Sequence, residues 1–209
     1  MKTMVKFLAS AAVLLALCVS AAAVDVNAVD ENGRTALISA VRDNDFEKVE
    51  EFLASGANPN AADNDGHTPL YSAADYGRTE MAKLLLERGA DPNFANEYGA
   101  TPLHRAAEQS NAEMAKLLLE GGANVNAPAN DGTTPLHRAV NPGNTELSKL
   151  LVEAGADVNA VDTWGYTPLH EAVKSGADPK IADKQGKTAL SLAEKNGKAK
   201  IVEYLKSKM

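Results

Sequence analysis

The sequence has little cysteine, few aromatic residues and no excess of basic residues. Cys18 is the only cysteine among 209 residues, which excludes an intrachain disulfide and a cysteine-rich zinc site. Aromatic residues make up only 5%, so a core must be built mainly from Leu, Val and Ala. Lys and Arg number 21 against 28 Asp and Glu. This deficit disfavours nucleic acid as a partner, because phosphate binding needs a basic surface.

The N-terminal segment has the pattern of a secretory signal peptide. Two lysines precede an uncharged run over residues 7–23, which closes on three alanines. We predict that residues 1–23 are removed by cleavage after Ala23 and that the protein is exported, to the periplasm or outside the cell. Two alternatives stay open. Residues 7–24 could be an uncleaved membrane anchor, and Cys18 could be acylated, although Leu17 stands where a bacterial lipobox has a small residue.

A period of 33 residues organises the rest of the chain. Threonines recur at this spacing and begin the motifs Thr-Ala-Leu-Ile, Thr-Pro-Leu-Tyr and, three times, Thr-Pro-Leu-His; they are Thr35, Thr68, Thr101, Thr134 and Thr167. Glycines keep the same spacing at Gly56, Gly89, Gly122 and Gly155. Threonine followed by proline suits an N-cap and a first helical position. Each Thr-Pro pair is therefore predicted to start a helix, and each glycine to end a second one, such as the helix predicted from Glu80 to Arg88.

A 33-residue unit with this motif resembles the ankyrin repeat. The resemblance implies an all-α solenoid, in which stacked helix-turn-helix units are joined by β-hairpin-like fingers. The predicted domain spans residues 24–209, with units at about 30–62, 63–95, 96–128 and 129–161, a short fifth unit at 162–182 and a C-terminal cap at 183–209. The resemblance also implies that the motif histidines His104, His137 and His170 hydrogen-bond to backbone and link neighbouring units.

The period breaks once, after the fifth unit begins. Thr188 follows Thr167 by 21 residues, so the second helix of the fifth unit is missing and residues 175–187 are predicted to form a connecting loop. The charge changes at nearly the same place, from −14 over residues 24–179 to +5 over residues 180–209. A solvated, lysine-rich cap explains the second value, and contact with an anionic surface is the alternative.

The sequence carries no motif for catalysis. It has no His-Glu-x-x-His element, no Gly-x-Ser-x-Gly elbow and no glycine-rich phosphate loop. No two histidines have the spacing of a helical metal pair. We therefore predict no catalytic, metal or cofactor site and no bound cofactor.

The resemblance implies a protein-binding module, whose variable positions lie in the fingers and at the ends of the first helices. Aromatic and acidic residues occupy several of these positions: Tyr76, Tyr98, Trp164, Tyr166, Asp65, Asp75, Glu97, Glu108 and Asp131. We predict a non-enzymatic monomer that binds a protein with a basic rim along units two to five, with Trp164 and Tyr166 as leading anchors. Tyr71, which replaces the motif histidine, is predicted to pack. A secreted effector acting on a host protein is the alternative, followed by an enzyme or small-ligand-binding protein.

Overall fold

The computed structural model describes residues 25–140, 144–168, 171, 188–195, 202, 203 and 206. In chain order, the helices within this part are α1 (Ala36–Arg42) and α2 (Phe46–Ala54) in unit one, α3 (Pro69–Asp75) and α4 (Thr79–Glu87) in unit two, α5 (Pro102–Glu108) and α6 (Ala112–Glu120) in unit three, α7 (Pro135–Ala139) and α8 (Thr145–Glu153) in unit four, and α9 (Ala189–Lys195). None of the described helices has the length and apolar character of a membrane-spanning segment.

The helices of units one to four form two layers. Each first helix contacts the first helix of the next unit, and each second helix packs behind the first helix of its own unit. In α3 and α5 one leucine and two alanines face the core; in α3 these are Leu70, Ala73 and Ala74, all fully buried. The small alanines allow neighbouring helices to approach closely. The predicted all-α solenoid is confirmed for this part of the chain.

The repeated threonines start the first helices, as their spacing predicts. The Thr68 hydroxyl accepts a hydrogen bond from the Tyr71 amide at 3.1 Å, and Pro69 takes the first helical position. In the same way, α9 begins directly after Thr188, and the Ser191 amide donates to the Thr188 hydroxyl at 3.2 Å. At the other end of a unit, Gly89 has a φ of +86° just after α4, which begins and ends one residue earlier than predicted.

Asparagines at the base of the fingers fasten each unit to the next. The Asn93 side chain donates to the carbonyl of Gly122 at 3.0 Å and accepts from the amide of Asn124 at 2.7 Å. The same double contact recurs at a spacing of one unit, from Asn60 and from Asn126. The final asparagine of the first three Gly-Ala-x-x-Asn sequences is therefore a contact between units.

Removal of this contact should destabilise the stack. We expect Asn93→Asp, which keeps the acceptor and loses the donor, to lower the free energy of unfolding by about 1–2 kcal/mol. Urea denaturation followed by circular dichroism measures the change. Gln109→Glu is the matched control, because it makes the same amide-to-acid change on an exposed side chain. Equal losses in the two variants would show that the Asn93 contact adds nothing.

Several predictions concern residues outside the described part of the chain. They are the signal peptide at 1–23 and its alternatives, the role of His170, and the loop at 175–187.

Candidate binding surface

Side chains within each finger fix its hairpin turn. In the third finger, Asn96 Oδ1 accepts hydrogen bonds from the amides of Tyr98 at 3.0 Å and Ala100 at 2.9 Å. Asp162 makes the equivalent contacts with Trp164 and Tyr166. A backbone bond closes each turn, for example from the Asn96 amide to the Ala100 carbonyl at 3.0 Å. These are the β-hairpin-like fingers that the resemblance implied.

Backbone hydrogen bonds between fingers align them in a row. The amide of Asn130 donates to the carbonyl of Tyr98 at 3.0 Å, and the amide of Thr163 donates to the carbonyl of Asp131 at 2.9 Å. Both acceptors stand at the fingertip, and they are one repeat apart. The fingertip residues of successive units therefore share one edge of the solenoid.

The structure separates the four predicted aromatic anchors by exposure. Tyr98 and Trp164 stand at fingertips and are 65% and 67% exposed. Tyr76, at the end of α3, is 41% exposed, and the guanidinium carbon of Arg42 lies 5.5 Å from its ring centroid. Tyr166 is only half-buried rather than fully exposed, because it precedes the cap threonine at the base of its finger. Trp164 and Tyr98 are therefore the most exposed of the four predicted anchors.

The predicted acidic residues fall into two groups. Arg105 Nε donates to Asp75 Oδ1 at 2.5 Å and its Nη1 donates to Glu108 Oε2 at 2.8 Å. Asp131 pairs with Arg138 at 3.3 Å. By contrast, exposed Asp65 and Glu97 make no ion pair with any described residue. The surface is thus acidic at the fingertips and mixed in charge beside the first helices.

Tyr71 lines two cavities beside the candidate surface, which the sequence did not predict. Its ring stacks on His67 with centroids 4.5 Å apart and an interplanar angle of 15°. On one side it borders a cavity of about 320 Å³ with Tyr98 and Ala100, and on the other a cavity of about 150 Å³ with Tyr76. Burial raises the pKa of the Tyr71 phenol, so the hydroxyl stays neutral at physiological pH. The sequence feature that could have indicated this role is the replacement of the motif histidine by tyrosine at residue 71.

The motif histidines of units three and four link neighbouring units. His104 Nδ1 accepts from the Thr101 amide at 3.1 Å, so its Nε2 carries the proton and donates to the Thr133 carbonyl at 3.1 Å. His137 repeats this arrangement with Thr134 and Tyr166. Burial lowers the pKa of His104 to about 4. These two histidines therefore have the structural role that the resemblance implied.

One group of metal-ligand side chains converges among the described residues. Ligand atoms of Asp63, Asp65 and His67 lie within 4.8 Å of one another. The sequence analysis did not predict this group, because the group contains only one histidine and no pair of histidines at helical spacing. However, Asp63 Oδ1 accepts from the amides of Asp65 at 3.1 Å and His67 at 2.8 Å. Asp63 thus holds the second finger, as Asn96 holds the third.

Two models of known families match the sequence. A model described as ankyrin repeats in three copies matches residues 2–96, and one described as ankyrin repeats in many copies matches residues 85–139 and 118–172. The chain belongs to the ankyrin-repeat family. Ankyrin repeats generally mediate binding to other proteins, so the coarse prediction of an interaction module is confirmed. The first match begins at residue 2, within the predicted signal peptide. A search of curated proteins found no match to the sequence.

Proposed function

We propose that this ankyrin-repeat chain is an exported, non-enzymatic protein that binds another protein along the finger edge of units two to five. The observation that carries the proposal is the placement of Tyr98 and Trp164. Both rings are about two-thirds exposed, and both backbones are fixed by the side chain of Asn96 or Asp162. Large aromatic side chains on a rigid support are typical anchors of protein interfaces, because little conformational entropy is lost on binding.

Charge supports a partner with a basic rim. Asp65 and Glu97 are exposed at the fingertips and make no ion pair with another described residue. Since the chain has 28 acidic against 21 basic residues, its field favours the approach of a basic protein surface. Exposed acids act mainly on the rate of association, and the aromatic anchors on the lifetime of the complex.

The anchors can be tested by a double substitution. We expect Trp164→Ala together with Tyr98→Ala to weaken binding to a partner captured from the native compartment by about tenfold or more. Surface plasmon resonance with the purified partner measures the change. Val152→Ala is the control, since this side chain is also exposed but lies on α8 in the second layer. Unchanged binding in the double variant would disprove the role of the fingertip aromatics.

Export can be tested apart from binding. We expect residues 1–23 to direct an alkaline phosphatase fusion to the bacterial periplasm, and the exported full chain to begin at Val24 when its N-terminus is sequenced. Cys18→Ser is the control for acylation, because it leaves signal cleavage after Ala23 possible. An inactive fusion would contradict export. An N-terminus at residue 18 that requires the cysteine would replace the cleavage prediction with lipidation.

A further inference from the structure

The larger of the two cavities that Tyr71 lines has a small residue of unit three in its wall. Ala100 lies in the wall of the cavity of about 320 Å³. At the same position of the repeat, the other units have larger side chains: Arg34, His67, Thr133 and Tyr166. No equivalent side chain fills the space between Tyr71 of unit two and Arg138 of unit four. The cavity that His67 lines in unit two is smaller, at about 150 Å³.

Two tyrosine rings form part of the cavity wall. Tyr71 is half-buried and held by its stack on His67. Tyr98 is exposed, with its amide bonded to Asn96 Oδ1 and its carbonyl bonded to the amide of Asn130. The ring of Tyr71 and the backbone that carries Tyr98 are thus held in place within the protein itself. Aromatic faces carry partial negative charge and attract cations.

The charged groups around this cavity have an excess of carboxylates. Glu108 and Asp131 line it together with Arg138. Arg138 pairs with Asp131, and Arg105 pairs with Glu108 and Asp75. Among the residues that line this cavity, two carboxylates therefore stand against one guanidinium group. Burial acts to raise the pKa of Asp131, but hydrogen bonds from Thr133 and the charge of Arg138 hold it below its usual value, so Asp131 is ionised. The neighbouring cavity differs, because Arg34 and Arg42 balance Asp65 and Asp75 there.

We propose that this cavity, the Ala100 cavity, takes one basic side chain, lysine or arginine, from an extended segment of the partner protein. The cationic group lies between the rings of Tyr71 and Tyr98 and faces the carboxylates of Glu108 and Asp131. This inference rests on the proposed function, since it assigns the part of the partner that enters unit three. Cation–π attraction and the local negative charge both favour such an occupant over an acidic or neutral side chain.

A short peptide can probe the Ala100 cavity without knowledge of the partner. The probe is a capped five-residue peptide of glycine and serine with one central arginine, and its control has citrulline, a neutral isostere, in the same place. We expect the arginine peptide to shift the tyrosine ring signals of Tyr71 and Tyr98 in NMR spectra of the full chain. The citrulline peptide should bind about tenfold more weakly or not at all. Equal binding of both peptides would overturn the proposal.

The repeat itself supplies the variant that fills the cavity. Ala100→His introduces the residue that unit two has at this position, His67, so the backbone is compatible with it. We expect this variant to lose the arginine peptide, whereas Ala54→His, which adds the same side chain on α2 in the second layer, should bind as the wild type does. Retained binding in Ala100→His, with an unchanged circular dichroism spectrum, would contradict the proposal.

A charge variant decides the question if Ala100→His does not fold. Glu108→Gln combined with Asp131→Asn leaves the cavity open and keeps an oxygen at Asp131 for the Thr133 amide. We expect affinity for the arginine peptide to fall about tenfold and to depend less on salt. Unchanged affinity would show that the carboxylates do not attract the arginine side chain, and it would overturn the proposal.

These outcomes separate the cavity from the proposed function. A partner that is lost in the Tyr98→Ala, Trp164→Ala variant but is bound normally by Ala100→His would support the proposed function and overturn the cavity assignment. If the Ala100 cavity binds the arginine peptide but no protein partner exists, the preference of the cavity for a basic side chain would be supported and the proposed function overturned. Self-association that the arginine peptide inhibits and Ala100→His abolishes, measured by sedimentation, would assign the cavity to a basic side chain of a second copy of this chain and overturn a foreign partner.

Discussion

Gly99→Ala should lower the free energy of unfolding by about 2–4 kcal/mol, which is more than the loss caused by Gly89→Ala. Both glycines have a positive φ, +74° at Gly99 and +86° at Gly89, so alanine is strained at both positions. At Gly99 a Cβ would also lie 2.7 Å from the backbone nitrogen of Asn130, whereas nothing lies within 4 Å at Gly89. Because that nitrogen donates to the Tyr98 carbonyl, alanine must push two fingers apart.

Gly89→Ala serves as the matched control for this prediction. This variant introduces the same backbone strain, about 1–2 kcal/mol, but its added Cβ contacts no residue of the next unit. Urea denaturation of both variants, followed by circular dichroism, isolates the contribution of the close approach between fingers. Gly99→Ala should also weaken partner binding, since Tyr98 and Asn130 lie at the fingertips. Equal destabilisation by the two variants would show that the finger contact does not require glycine at residue 99.

Local chemistry made the helix boundaries predictable from the sequence. The Thr-Pro pair at Thr68 or Thr101 specifies an N-cap and a first helical turn by interactions within four residues. The glycine at Gly89 supplies a left-handed residue that any helix end can use. The period then places each boundary in register, so the two-layer stack follows from one unit and its repetition.

The composition of the candidate surface was less predictable, because it depends on pairs of units. Asp75 was predicted as one of the acids of the binding surface, and Arg105, 30 residues later, reaches back to it across the unit boundary. Tyr71 was predicted to pack, and it does stack on His67, but it also lines a cavity together with Ala100 of the next unit. Such relations depend on the distance and rotation between neighbouring units, which the residue pattern alone does not specify.

His104 should make the stability of the solenoid depend on pH. Its Nδ1 accepts a hydrogen bond from the Thr101 amide, so protonation of the ring would put two N–H groups face to face in a buried site. Burial lowers its pKa from 6.5 to about 4 in the folded chain. The group therefore contributes stability that is fully present above pH 6.5 and is lost as the pH falls to 4, amounting to about 3 kcal/mol.

His104→Gln tests this dependence, because glutamine is polar and does not titrate. We expect the variant to be less stable than wild type at neutral pH, and the difference in unfolding free energy to shift by about 3 kcal/mol in favour of the variant by pH 4. Asn111→Ala is the control. It removes a cap hydrogen bond to the Met114 amide and should cost about 1 kcal/mol at either pH. If the difference between wild type and His104→Gln does not change with pH, His104 must titrate alike in the folded and unfolded chains, and the imidazole cannot be held neutral between Thr101 and Thr133.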